Sequence, residues 1–561
     1  MVRCSPRHYK SYPSLKIISC IIPSMKRLYY FLLNQWFLVI CFSTMLYVFP
    51  LYATSVIHDT TWRLDSDYDS VWSGVEYTIR YIRQYYTFPV IHEFAGFGIP
   101  LSSDPTFPLF HPLVFIPMVL LGFEKGMWVV IALSVGISGV SMYVLLHSLT
   151  SRKNLVLWGS LLYMFSGALA ARIAAGHISY IISYPLWPLF FYFILQPFPS
   201  FFMTMLYALT YAFFFLSGDI YGCIYATFFF LCSRVAYLYT HQKHIGAQLR
   251  FLILFSIGSL LFAAIKILPM TQHLDVLMQM TRYFQPIFGQ GSIHLPFTIL
   301  PFIVPWRVAF YDDNVFFRYH LGLWFNWYEY YAYLTPLPLL FLFRFPWIHH
   351  TAKKMLLGIF IIGMVFISQK FPYSPFYWLL KDSFLSAIIR VPQRMYVPMT
   401  SILIALVVLC TPTIPPWRTL AGKCLYVLLI GSLCWTYMVN IQTMNTGLEK
   451  QRTAEFALVN SLKAYDAGTY FILDLICCTQ HFLIDQQIHV LNFYAGWQSK
   501  KTPSFIDPVT QHFTPEKLTT IRPKYILAAP TETFYSYNYR PVIIQPIGTI
   551  WETDSVTISP N

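Results

Sequence analysis

The feature that most constrains this chain is a series of apolar segments, each of about the length that a helix needs to cross a bilayer. A spanning helix takes roughly 20 mostly apolar residues. Eleven such segments are predicted, at roughly 29–53, 126–148, 154–172, 178–196, 200–217, 220–240, 249–270, 328–345, 354–369, 395–411 and 419–440. Charged residues make up 11% of the 561 residues, against about 25% in soluble domains. The chain is therefore predicted to be a mainly α-helical, polytopic membrane protein.

The net charge of +14, from 38 Lys and Arg against 24 Asp and Glu, is interpreted as a signature of membrane topology. No basic and aromatic recognition module is evident, so no nucleic-acid partner is predicted. One set of predicted loops is basic and free of acids, and its residues are Arg152, Lys153, Lys243, Arg250, Arg344, Lys353, Lys354, Arg418 and Lys423. The positive-inside rule puts these loops in the cytoplasm together with Lys26 and Arg27.

The segment 107–122 is apolar but is interrupted by Pro108, Pro112 and Pro117. Counting it as a crossing would move most of the basic loops outside, so a short re-entrant or interfacial helix is predicted instead. The N-terminus is then cytoplasmic and the C-terminus extracytoplasmic. The predicted domains are a basic N-terminal segment at 1–28, a transmembrane domain at 29–446 with a first external loop at 54–125, and a C-terminal domain at 447–561.

The C-terminal region alternates apolar, β-branched runs with turn residues. The runs are Thr469–Leu475, Ile488–Tyr494, Tyr525–Ala529 and Pro541–Glu552. Such runs between Pro, Gly and Asn are typical of strands. We therefore predict a small extracytoplasmic α/β domain.

An acidic motif follows the first span, with Asp65, Asp67 and Asp69 at alternate positions. Carboxylates this close repel one another and need a cation or a donor nearby to stay ionised. The motif fits a helix cap. It also fits the spacing of a Ca²⁺ loop ending at Glu76, although Ser70 stands where such a loop needs Gly. A third interpretation is a catalytic carboxylate, acting as a general base or binding a divalent ion.

Three of the ionisable residues at or inside the predicted spans are singled out: His177 and Asp219 at span ends, and Lys266 within one. An ionisable group at membrane depth is a functional hypothesis by default. For His177 a backbone hydrogen bond at a helix start is the alternative. Lys266 would suit a transporter, but no partner motif or inverted repeat accompanies it.

The order of motifs resembles one membrane-protein family. The first span is followed by the acidic motif and by a predicted surface helix. After them come Phe88-Pro89 and a turn-rich stretch that contains Gly96, Gly98, Pro100, Asp104 and Pro105. This order resembles the first external loop of the YfhO-like branch of the GT-C glycosyltransferase superfamily. Further matches are Gly176-His177, Ser217-Gly218-Asp219, Arg390–Arg394 and Leu518–Leu527. The resemblance covers most of the chain.

The resemblance implies a GT-C-like fold and a lipid-phosphate-linked sugar donor, with an acidic residue of the first external loop near the reacting groups. That role is carried onto Asp67 or Asp69, with Asp65 as a neighbour. Cations are then needed for the leaving phosphate, and the candidates are Arg282, Arg390, Arg394 and His177. For each arginine, binding a lipid headgroup at the interface is the alternative.

The candidates for contacts with the sugar or the acceptor are His92, Glu93, Asp104 and Asp219. The sequence Ile91-His92-Glu93 stands where relatives often carry Trp-Asn-Pro, which weakens this transfer. The metal requirement stays open, with Mg²⁺ or Mn²⁺ as the candidate cofactor. Donor and membrane lipids are the expected partners, and the expected location is a bacterial inner membrane. A transporter or flippase and a non-catalytic envelope-assembly protein are the alternative functions.

Overall fold

The structure is a computed structural model that describes the protein in separate stretches. These are residues 35–57, 73–89, 91–92, 99–101, 104, 106–196, 200–240, 245–271, 298–304, 327–343, 351–368, 375–380, 391–412, 419–445, 451–467, 471–474, 489–490, 523–528, 539–545 and 548–553. Within these stretches, six helices are long and apolar enough to cross a membrane. They are Phe123–Leu149, Lys153–Ala175, Ile220–Leu238, Ile245–Thr271, Pro392–Cys410 and Leu420–Ile441. The prediction of a multi-pass membrane protein is confirmed, while the count of eleven spans stays a prediction.

The first half of the chain forms most of the helical bundle. Its elements are α1 (Gln35–Ile57), α2 (Ser73–Tyr85), β1 (Ile91–His92), β2 (Ile99–Pro100), α3 (Pro112–Leu121), α4 (Phe123–Leu149), α5 (Lys153–Met164), α6 (Gly167–Ala175), α7 (Ile178–Ser183), α8 (Leu186–Ile194), α9 (Phe201–Leu216), α10 (Ile220–Thr240) and α11 (Ile245–Thr271). The two short strands, β1 and β2, pair antiparallel with each other.

Shorter helices precede the last two long ones. The elements are α12 (Leu300–Ile303), α13 (Trp327–Tyr330), α14 (Pro336–Leu340), α15 (Thr351–Ile367), α16 (Pro375–Leu380), a 3-10 turn at Pro392–Met395, α17 (Tyr396–Cys410), α18 (Leu420–Asn445) and α19 (Gln451–Tyr465). Helix α17 is buried along its whole length, and its first residues therefore lie inside the bundle.

The two ends of the bundle differ in chemistry. Arg152, which precedes α5, donates to the carbonyl oxygens of Val408, at 2.7 Å, and Thr411 at the end of α17. We call this the basic end. Helices α5 and α6 run from it toward Ala175, and α17 runs back to it from Met395. His177, Asp219 and Arg394 therefore lie at the opposite end, which we call the polar end.

Helix α3 is only 10 residues long, which corresponds to about 15 Å, half of the roughly 30 Å hydrocarbon core. Gly122 ends it at φ 84°, a conformation that glycine adopts without strain. A Cβ at Gly126 would lie 2.6 Å from the Cα of Met118, so α3 folds back closely against α4. The helix is short, as predicted, and whether 107–122 crosses the membrane stays a prediction.

Two predicted spans are not continuous helices. The segment 178–196 is divided into α7 and α8 at Tyr184-Pro185. Within the described residues, the segment 328–345 contains the short helices α13 and α14 and a 3-10 turn at 341–343, and residues 331–335 between the two helices have no helical structure. Pro185 explains the first break, because its missing N–H and its ring disfavour a helix interior. The backbone of 331–335 is bound elsewhere: Gly167 donates to Tyr333 at 2.8 Å, and Leu334 donates to Phe302 at 3.0 Å.

A small sheet forms in the C-terminal region, as predicted. Its strands are β3 (Phe471–Asp474), β4 (His489–Val490), β5 (Tyr525–Ala528), β6 (Arg540–Gln545) and β7 (Gly548–Glu552). The order is β4-β3-β5-β7-β6, with β3 parallel to both neighbours and the other pairs antiparallel. The predicted single run at 541–552 is a hairpin of β6 and β7. The domain boundaries stay a prediction.

Candidate functional site

The polar end contains a buried cluster built around one carboxylate, Glu329 on α13. Arg394 donates to Oε1 of Glu329 through Nη2, at 2.7 Å, and through Nε, at 3.0 Å. Arg172 on α6 donates to Oε2 at 2.7 Å. The Glu329 and Arg172 side chains are 4% and 2% exposed, while Arg394 is 16% exposed. Arg394 is thus the most accessible member of the three.

Helix α7 supplies the next layer of the cluster. Gly176 ends α6 in the left-handed conformation at φ 72°, and the N–H of His177 returns to the carbonyl of Arg172 at 3.0 Å. This turn brings Nδ1 of His177 to 2.9 Å from Nη1 of Arg172. One turn later the hydroxyl of Tyr180 accepts from Nη1 of Arg394 at 2.8 Å.

Aromatic rings lie against both guanidinium groups. The ring of Tyr180 is 4.9 Å from the guanidinium carbon of Arg172 and 5.0 Å from that of Arg394. The ring of Tyr221 is 4.5 Å from that of Arg394. A desolvated cation–π contact of this kind stabilises a guanidinium by about 2 kcal/mol. The rings therefore stabilise the cations and limit their movement.

The charges of Arg172, Arg394 and Glu329 do not cancel among themselves. Two guanidinium groups surround one carboxylate, which leaves one positive charge among these three side chains. Within the described residues, Nε of Arg172 and the hydroxyl of Tyr221 are buried without a hydrogen-bond partner. Burying charge is costly unless it is compensated, and the carboxylate of Asp219 is the nearest further acid that interacts with both arginines.

Asp219 lies in the turn between α9 and α10, near the cluster. Its Oδ2 accepts from Ser183 at 2.6 Å and its Oδ1 from the N–H of Gly222 at 2.7 Å, so it caps α10. Burial raises the pKa of Asp219 to about 6, against the opposing effects of these hydrogen bonds and of Arg394 and Arg172. The carboxylate therefore has a structural role in addition to its place beside the cluster.

Asp104, in the loop predicted to be the first external one, lies at the same end. Oδ1 of Asp104 accepts from the N–H of Thr106 at 2.8 Å and from its hydroxyl at 2.6 Å. Burial raises the pKa of Asp104, while the Thr106 bonds and Lys266 act in the opposite direction. Burial lowers the pKa of His111 to about 3, and Lys266 adds to this effect. His111 is thus neutral, and its Nδ1 accepts from the N–H of Leu113 at the start of α3.

The structure brings three of the predicted site residues together: Arg394, His177 and Asp219. Asp104 lies in the neighbouring loop, and His92 lies in β1, where only its backbone is described. Six predicted residues lie outside the described residues, namely Asp65, Asp67, Asp69, Glu93, Arg282 and Arg390. Their roles stay predictions.

Sequence reasoning missed Arg172 and Glu329. Each is an ionisable residue inside a segment predicted to span the membrane, and that alone is a signal of function. Within the described stretches, no group of three or more His, Cys, Asp or Glu is arranged to hold a metal ion. Since the acidic motif lies outside those stretches, the divalent cation stays a proposal.

No protein-family model and no curated protein sequence matches the chain. Among solved structures, it is similar to the arabinofuranosyltransferase AftD from Mycobacteria, with TM-score 0.52, 11% identity, and coverage of 93% of this chain and 40% of that chain. ArnT from Cupriavidus metallidurans bound to undecaprenyl phosphate gives TM-score 0.49 and 12% identity over 90% and 98% of the two chains. Apo ArnT gives 0.47 and 12% over 86% and 93%. The chain thus spans 40% of the length of AftD, and the likeness is one of fold.

Proposed function

We propose that this chain, which has the membrane fold of the GT-C glycosyltransferases, moves a sugar from a polyprenyl-phosphate-linked donor to a lipid, glycan or protein acceptor. AftD, whose fold it shares, is an arabinofuranosyltransferase. The observation that carries the proposal is the buried cluster of Arg172, Glu329 and Arg394, in which the guanidinium of Arg394 remains partly exposed. A donor of this class carries a phosphodiester anion, which the partly exposed guanidinium of Arg394 can bind.

Arg394 is the residue proposed to contact the donor phosphate. It is the most exposed of the three, and a guanidinium can bind two phosphate oxygens at once. Glu329 binds Arg394, and Arg172 in turn binds Glu329. The position of the Arg394 side chain is therefore set before the sugar donor binds. Hydrogen-bond donors that are preorganised in this way stabilise a transition state in which negative charge develops on the leaving group. Arg282, Arg390 and His177 are proposed as additional donor contacts.

In the proposed reaction, Asp67 or Asp69 takes the proton of an acceptor hydroxyl. The hydroxyl oxygen forms a bond to the anomeric carbon of the sugar, and the bond from that carbon to the phosphate oxygen breaks. The electron pair leaves with the polyprenyl phosphate, whose charge Arg394 stabilises. Asp65 is proposed as a neighbour of the base. If the acidic motif binds Mg²⁺ or Mn²⁺, the ion would add positive charge to the site.

The proposed location is a bacterial inner membrane with the polar end facing outward. The support is the basic end, where Arg152 and Lys153 lie in a loop without acids, as cytoplasmic loops do. His92, Glu93, Asp104 and Asp219 are proposed near the sugar or the acceptor. For Asp104 and Asp219 a structural role accompanies this proposal, since their oxygens are bound by Thr106, Ser183 and Gly222.

The test is the affinity of the purified protein in nanodiscs for undecaprenyl phosphate, measured by native mass spectrometry. Arg394→Lys keeps the charge but loses the bidentate geometry, and we expect at least about 10-fold weaker binding, because a hydrogen bond to a charged group contributes roughly 1.5–3 kcal/mol. Arg152→Lys at the basic end is the matched control and should bind normally. Equal affinity of the Arg394→Lys variant and the wild type would overturn the donor-site assignment.

Transfer itself is tested in a deletion strain. Lipid-linked glycans that lack one sugar should accumulate, and their structure identifies donor and acceptor. Translocation of the lipid without any change in its glycan would favour a flippase instead.

A further inference from the structure

Lys266 on α11 is fully buried, and its ammonium group holds two backbone segments together. Nζ donates to the carbonyl of Phe107 at 2.9 Å and to that of Phe215 at 3.0 Å. Phe107 belongs to the first external loop, and Phe215 lies in the last turn of α9. One side chain thus joins the loop to two membrane helices.

Other elements bind the same part of the loop. Ser179 on α7 donates to the carbonyl of Thr106 at 3.3 Å. Gly218 has φ 80°, and a Cβ there would overlap the Thr106 oxygen. The carbonyls of two successive loop residues are therefore bound or closely packed by α7, by the turn before α10 and by α11. Ser179 is next to Tyr180, and Gly218 is next to Asp219, so these contacts lie beside the arginine cluster.

Phe107 also connects the loop to α2. The ring of Phe107 packs against Gly74, where a Cβ would lie 3.1 Å from Cε2 of Phe107. Gly74 is in the first turn of α2, which begins at Ser73. In the sequence, Asp69 precedes Ser73 by four residues (73 − 69). A path of direct contacts therefore runs from Lys266 through Phe107 to the helix that follows the acidic motif.

A buried ammonium is an expensive way to bind carbonyl oxygens, since a charge inside a membrane protein must be desolvated. Its advantage is strength, because charge-assisted hydrogen bonds are about twice as strong as neutral ones. A rigid attachment is what a reaction centre divided between separate segments requires. A displacement of 1 Å can cost 100-fold in rate.

We propose that Lys266 is a positioning residue, which fixes the loop residues Thr106 and Phe107 relative to the arginine cluster and, through Phe107, the start of α2. The proposal rests on the proposed glycosyl transfer. In contrast to the transporter hypothesis, the charge of Lys266 serves to hold backbone in place.

The first measurement reports the distance between two helices and does not depend on enzymatic activity. Spin labels at Tyr85→Cys on α2 and Leu268→Cys on α11, both exposed positions, report the distance between α2 and α11 in a cysteine-depleted variant. We expect one narrow distance distribution in the otherwise wild-type protein and a broad or shifted one after Lys266→Met. The control is Arg152→Gln, which removes a cation bound to carbonyls at the other end and should leave this distance unchanged.

The second measurement separates binding from turnover. Lys266→Met should lower kcat by about 100-fold while the affinity for undecaprenyl phosphate stays within about twofold. Should this variant fail to fold, Ser179→Ala and Gly218→Ala affect the same loop from other elements and should give the same pattern. An unchanged distance distribution in all folded variants, or a kcat equal to that of the wild type, overturns the positioning role. If the wild-type protein did not bind undecaprenyl phosphate, the proposed function would be overturned, but the distance measurement would remain valid.

Discussion

Glu329 and Arg394 form a bidentate pair at the polar end: Nη2 of Arg394 donates to Oε1 of Glu329 at 2.7 Å, and Nε donates to Oε1 at 3.0 Å and to Oε2 at 3.2 Å. The two residues are 65 positions apart in the sequence. Arg172 also donates to Oε2 of Glu329, and Glu329 carries the only negative charge among these three side chains. Changes at Glu329 therefore affect both arginines at once.

Replacing Glu329 with Gln should destabilise the protein by about 3–5 kcal/mol, the usual effect of removing one partner from a buried ion pair. Arg172 and Arg394 would then lose the carboxylate that both of them bind. Thermal unfolding in detergent measures the loss. Undecaprenyl phosphate should stabilise the Gln variant more than the wild type, since an added anion replaces the missing charge. A variant as stable as the wild type would contradict the charge balance described here.

Asp219→Asn should remove a pH dependence of stability. The folded pKa of about 6 lies above the reference value of 3.8, so the wild type is most stable below pH 4 with respect to this group and loses that stability as the pH rises through 6. The size is at most about 3 kcal/mol, from two pKa units. Asn caps a helix as well as Asp. The stability of the variant relative to the wild type should therefore increase from pH 4 to pH 7.5.

Unfolding of both proteins across that pH range provides the measurement. Ser200→Ala, which removes another helix cap far from the arginines, serves as the control. A difference between wild type and Asp219→Asn that does not change with pH would argue against a buried, titrating carboxylate.

Asp67→Asn and Asp69→Asn separate catalysis from capping. General-base catalysis typically contributes 10²–10⁴-fold, so loss of the base should nearly abolish sugar transfer while expression stays normal. A helix cap predicts almost no effect, because Asn replaces Asp well at that position. A Ca²⁺ loop predicts loss on chelation, recovery with added Ca²⁺, and a comparable effect of Glu76→Gln. Transfer at the wild-type rate in the double Asn variant would exclude the catalytic role.

The topology prediction can be tested at a single position. A cysteine in place of Gln511, in a cysteine-depleted variant, should react with an impermeant thiol reagent added to intact cells. A cysteine at Asn154, next to Lys153 at the basic end, should react only after the membrane is opened. The reverse pattern would invert the topology.

The sequence was sufficient for features that depend on local composition. The long helices α4, α10, α11 and α18 each carry a continuous apolar run, so hydropathy alone locates them. The C-terminal strands could be predicted for the same reason. The short helix α3 could be predicted because its prolines and the charge of the flanking loops agree.

Features that depend on distant partners could not be predicted in this way. Residues 331–335 have an apolar composition that suits a helix, yet Gly167 and Phe302 bind their backbone. The pairing of Arg172 with Glu329 joins residues 157 positions apart, and no local pattern encodes it. For Lys266 the charge was visible in the sequence, but its carbonyl acceptors were not.

Arg152 has a consequence for the order in which this protein is assembled. Its acceptor at Val408 is 256 residues further along the chain. A ribosome that adds 5–20 residues per second synthesises that length in roughly 10–50 s. During this interval α5 is already made while the carbonyls that Arg152 will bind do not yet exist. The guanidinium must therefore stay hydrated at the membrane surface, and the last helices complete the basic end only when they arrive.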